Sequence, residues 1–127
     1  MTIDDPVVLA EVEDAFDRYE SALADNDLEA LDGFFWRSDR ALRYGVGEAL
    51  YGFDAITAFR KARPGGSPPR RILRRAITAF GADFATANIE FQRQAGGPVG
   101  RQSQVWVRMA DGWRVVAGHI SLQAGVS

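Results

Sequence analysis

Arg43 is the residue whose type and setting most invite chemistry. It lies in RALRYGVGEALYG, from Arg40 to Gly52. Ala41-Leu42-Arg43-Tyr44 reads as a short strand and Ala49-Leu50-Tyr51 as its return. Strand side chains alternate faces, so Arg43 points opposite to Leu42 and Tyr44. Either it faces water or it faces inward toward an anion. A guanidinium is a rigid fork of donors that fits a carboxylate with two parallel bonds. In a partly dry pocket it would hold that carboxylate and stabilise charge developing on its oxygens. The competing reading is a structural ion pair with Glu48 or Glu90.

The later strands supply further polar groups. Thr86, Asn88, Glu90 and Gln92 share one face, against Ala85, Ala87, Ile89 and Phe91 on the other. Gln102, Gln104, Trp106 and Arg108 likewise alternate with Arg101, Ser103, Val105 and Val107. Asn88, Glu90 and Gln104 are expected in the pocket, where they would bond the carbonyl and N–H groups of an amide. Alternatively, this is the exposed or dimer side of the sheet. His119 shares a face with Ser121 and is a candidate general base. A single histidine on a terminal strand reads first as structural.

Several chemistries drop out. The chain has one histidine and no cysteine, and its strands carry few acids, so no metal site is expected. The glycine pairs match neither a phosphate loop nor a dinucleotide fingerprint, so no cofactor is expected. The net charge is −2, and the basic run from Arg60 to Arg75 lacks interleaved aromatics to stack bases. Nucleic acid is therefore not an expected partner.

The elements that must position these residues are readable. Asp5 can cap a helix with Pro6 at its first position. Val8, Val12, Ala15, Phe16, Tyr19, Ala22 and Leu23 then recur at helical spacing, and acidic residues in the early turns favour the dipole. Asp25-Asn26-Asp27 ends this helix and caps a second, Leu28 to about Phe35. After the hairpin, Gly52-Phe53-Asp54 opens a third, with Ile56, Phe59 and Ala62 on one stripe. Pro64-Gly65-Gly66-Ser67-Pro68-Pro69 breaks the pattern, and the period becomes two. Four strands follow: Arg70–Phe80, Asp83–Arg93, Gly100–Met109 and Trp113–Leu122, an antiparallel meander. Helices first, then a long curved sheet, gives α+β: a cone wrapped around the first helix. Residues 1–127 read as one such domain, the Pro/Gly run being an internal loop. Valine and tryptophan on the outer strand faces would need cover, so a homodimer is expected.

Of the 17 Asp and Glu, 14 precede Arg60, whereas seven of the 15 Lys and Arg lie between Arg60 and Arg75. This reads as two faces of opposite sign, complementary across a dimer, or as a field that draws in a small anion. The N-terminal stretch lacks a cationic region before an apolar core, and no apolar run would span a bilayer. A cytoplasmic location without a membrane partner is the expectation.

The order of elements resembles the ketosteroid-isomerase-like, or SnoaL-like, cone fold. FDRYESAL, FFWRSDRALRYGVGEALYGFDAITAFR, FATANIEF, GRQSQVWVR and GWRVVAGHISL resemble the AtzH-like family more specifically, a family that includes proteins of oxalurate catabolism. The resemblance implies a small enzyme or helper beside an amidase, converting 1,3-dicarboxyurea to allophanate with loss of carbon dioxide. It also implies that Tyr19 of FDRYESAL and Arg43 of LRYGVGE carry the chemistry. The helical stripe independently points the Tyr19 hydroxyl toward the cone, although a tyrosine there is ordinarily core. Beside a guanidinium its phenol would move a proton more easily. A non-catalytic dimer that docks on an amidase, or carries its labile product, is the alternative. An isomerase- or cyclase-type reaction is a third, with Glu90 or His119 as base.

Overall fold

The computed structural model describes residues 1–125. Helix α1 runs from Pro6 to Ala24, and the Asp5 carboxylate accepts from the Val7 and Val8 amides at 3.0 and 3.2 Å. The first turn itself holds no acid; the acids expected in the early turns begin at Glu11 and Glu13 in the second, and the Asp5 carboxylate caps the helix start. Asp5→Ala is expected to lower stability by about 1 kcal/mol, read as a lower urea midpoint at constant slope. Helix α2 (Leu28–Phe34) is capped by Asp27, whose carboxylate accepts from Ala30 N at 3.1 Å. Helix α3 spans Phe53–Ala62. Gly52, at φ 92°, makes the turn into it, a conformation that costs glycine little.

The strands are β1 (Leu42–Tyr44), β2 (Ala49–Tyr51), β3 (Arg70–Phe80), β4 (Phe84–Arg93), β5 (Gly100–Met109) and β6 (Gly112–Leu122). They form one sheet in the order β2-β1-β6-β5-β4-β3. The last four strands make the antiparallel meander. The hairpin joins through β1, which runs parallel to β6 with Arg43 opposite Gly118. A register shift at Val105/Trp106 and another at Ile72/Arg74 interrupt the ladder, where bulges bend a sheet.

One face of α1, with Val12, Ala15, Phe16 and Tyr19, buries against Ala85, Ala87, Ile89 and Phe91 of β4, Trp106 of β5 and Val115 of β6. The aromatic centre is tight: Tyr19 meets Trp106 edge-on at 6.1 Å and Phe34 at 6.0 Å. The charge asymmetry of the sequence is resolved largely within the chain. Acids of α1 reach cations of β3, with Glu20 on Arg70 and Glu13 and Asp17 on Arg75. The tryptophans expected to need outside cover, Trp106 and Trp113, are buried by the chain itself.

Candidate functional site

A cavity of about 90 Å³ opens between the hairpin, the end of α3, the Pro/Gly loop and the inner sheet face. Tyr19 and Arg43 both line it, at 3% and 8% exposure. The Tyr19 hydroxyl has no hydrogen-bond partner among the described residues. Arg43 faces inward, as the alternation of β1 requires. Its Nη1 donates to Glu48 Oε1 at 2.9 Å. The Glu48 pair weighed from the sequence therefore exists, and the Arg43 guanidinium also borders the cavity. The turn is built for this: Gly45 N donates to the Glu48 carbonyl at 2.8 Å, and a β-carbon at Gly45 would collide with the Glu48 carboxylate.

Four more arginines line the same cavity: Arg60 and Arg63 at the end of α3, Arg70 at the start of β3 and Arg93 at the end of β4. Aromatic rings hold several of them. Phe59 lies 5.3 Å from the Arg43 guanidinium carbon and 5.5 Å from that of Arg63. Phe35 lies 4.5 Å from that of Arg60, and Phe91 lies 4.4 Å from that of Arg70. A ring face attracts a cation, and more so where water is scarce. Asp32 pairs with Arg60 at 3.3 Å and Glu20 with Arg70 at 2.7 Å. Arg63 and Arg93 have no carboxylate partner among the described residues. Burial, then the charge of Arg43 and more weakly that of Arg93, holds the Arg63 guanidinium below its usual pKa, with Glu48 and Tyr19 opposing. Buried donors stay unmatched here too, at Arg60 Nη2 and Arg70 Nε. Chemically, this is a cation-rich, partly dry chamber with one phenol, suited to a small anion.

The remaining expected site residues separate. Asn88 and Glu90 point to the outer face and are exposed, which corrects their placement in the pocket. The reason is the register: Ala87 and Ile89 pair with Gln104 and Gln102 and share the inner face with them. Gln104 does face inward, at 4% exposure, but it accepts from the Trp106 indole at 3.1 Å and does not line the cavity. His119 is exposed on the outer face, edge-on to Tyr44 at 5.5 Å. It cannot serve this cavity as a base from there. No group of three or more histidine, cysteine, aspartate or glutamate residues able to hold a metal occurs among the described residues.

Arg60, Arg63, Arg70 and Arg93 are the lining residues that sequence reasoning missed. A signal for one existed: Arg93 stands two residues after Phe91, hence on its face.

The helices and sheet define the class: an α+β cone of the NTF2-like, cystatin-like kind. An NTF2-like superfamily protein from Salmonella enterica shares this fold at 23% identity, with TM-score 0.77 over 95% of this chain and 94% of its own. Within that class the chain belongs to the AtzH-like family, whose model matches residues 1–125. A protein of unknown function from Pectobacterium atrosepticum is 47% identical, covering 96% of this chain and 95% of its own, with TM-score 0.93. A cystatin-like fold protein from Burkholderia xenovorans is 42% identical over 99% of both chains, with TM-score 0.94. No curated protein matches the chain. No helix among the described residues is long and apolar enough to cross a membrane.

Proposed function

We propose that the protein is a cofactor-free amidohydrolase/decarboxylase for a small carboxylated urea, such as 1,3-dicarboxyurea going to allophanate, in ureido-nitrogen catabolism, and that it acts by decarboxylation. The observation that carries this reading is the unpartnered Tyr19 hydroxyl in the same cavity as Arg43. Membership of the AtzH-like family agrees with it. In the reaction the bond between the carboxylate carbon and the urea nitrogen breaks. Carbon dioxide leaves, and the electron pair stays on nitrogen and spreads onto the urea carbonyl oxygen. Arg43 stabilises that growing negative charge. Tyr19 delivers the proton to nitrogen and is reprotonated from solvent. One solvent proton is consumed per turnover, and nothing else is needed to balance the step.

Tyr19→Phe removes the proton and little else, because the ring keeps its edge contacts with Phe34 and Trp106. The expected result is a loss of about 10²–10⁴ in kcat with the melting midpoint nearly unchanged. An unchanged kcat in a folded variant would remove Tyr19 from the chemistry.

One observation favours a second reading. Glu48 is the acid that lines the cavity, and it is committed to Arg43. A chamber without a free carboxylate base can capture an anion without transforming it. On that reading the protein is a partner of an amidase, or a carrier of its product. Pairing of two copies through the outer sheet face, and functional association with an amidase, fit either reading. Co-purification with an amidase and no turnover alone would favour the second.

A further inference from the structure

Of the five arginines in the cavity wall, three are matched by a carboxylate: Arg43 by Glu48, Arg60 by Asp32 and Arg70 by Glu20. Two are not, Arg63 and Arg93. Both are half-buried. Arg93 stands directly opposite Arg70 across the β3–β4 ladder. Like charges at directly opposed positions of a sheet repel. The Glu20 carboxylate is already bound to Arg70, which also donates to Gln102 Oε1 at 3.0 Å. Arg63 shares the Phe59 ring with Arg43. Two uncompensated cations held in one partly dry chamber are stabilised by whatever anion enters it.

We infer that Arg63 and Arg93 form a second carboxylate subsite, so that the cavity selects a small dianion over a monoanion of the same length. The inference rests on the reading of the cavity as an anion site. Arg43 then serves one end of the ligand, and Arg63 with Arg93 holds the carboxylate at the other. The two unmatched charges equal the charge of a dicarboxylate. A monoanion leaves one cation uncompensated.

The test is calorimetric titration at low salt with glutarate and with pentanoate, the same five-carbon chain with one carboxylate. These probes are not turned over, so binding is read apart from activity. Wild type is expected to bind glutarate more tightly by about 10-fold or more, the worth of a charge-assisted hydrogen bond. Arg93→Gln should cost glutarate about 10-fold more than it costs pentanoate. Arg63→Gln should act alike. Equal weakening of both acids, or no weakening of either, would overturn the subsite. Binding of both acids by wild type without preference would overturn it too while leaving the anion cavity standing. No binding of either would remove both. Should Arg93→Gln fail to fold, Arg63→Gln carries the same test, and a preference for glutarate undiminished in it would count against the subsite.

Discussion

Arg43→Gln is expected to lower kcat/KM on a carboxylated urea by about 10²–10³, the usual loss when one preorganised donor is removed from developing charge. The variant must be separated from a folding defect. Arg43 is 8% exposed, and its loss leaves the Glu48 carboxylate without its partner in a half-buried setting. Arg43→Gln combined with Glu48→Gln removes both charges and restores the balance. If the double variant folds as well as wild type and stays inactive, the guanidinium itself is required. If the double variant recovers activity, the single variant failed because Glu48 was left unpaired, and Arg43 is structural. The paired reading and the catalytic reading of Arg43 meet in the same side chain, so only such a pair of variants divides them.

Trp106→Ala is the largest stability loss expected, about 3–5 kcal/mol. Trp106 is fully buried, with Tyr19 and Phe34 both edge-on at 6.1 Å. Truncation opens a cavity under α1, and it orphans Gln104, whose oxygen accepts from the indole. A urea midpoint that falls by the corresponding amount at constant slope is the expected readout. A loss below about 1 kcal/mol would mean that α1 settles into the gap, and that the Trp106 packing does not fix Tyr19.

Much of this fold was legible in the residues. Asp5-Pro6, Asp27 and Gly52 carry cap and turn chemistry, and the helices start where those residues place them. The change of period after Pro69 marks the meander, and the observed strands differ from the expected ones by a residue at most. The parallel pairing of β1 with β6 was not legible, because no local signal links residues so far apart in sequence. Alternation likewise groups Asn88 with Glu90 but does not say which face is inside. Only the pairing of Ala87 with Gln104 settles that, and it puts small apolar residues rather than polar ones against α1. Small alanines are a faint mark of an inner face beside such a polar row. The inward turn of Arg43 was posed by strand alternation and answered by the tertiary fold. The other arginines of the cavity read as surface charge because arginine usually is, and only the tertiary fold gathers α3, β3 and β4 around one chamber.

The most direct test of the central claim is carbon dioxide release from freshly generated 1,3-dicarboxyurea, followed with wild-type protein and with buffer alone. N-carboxylated ureas lose carbon dioxide unaided, so the buffer rate is the necessary baseline. A rate that rises in proportion to protein concentration above that baseline is expected. Equal rates with and without protein would contradict it.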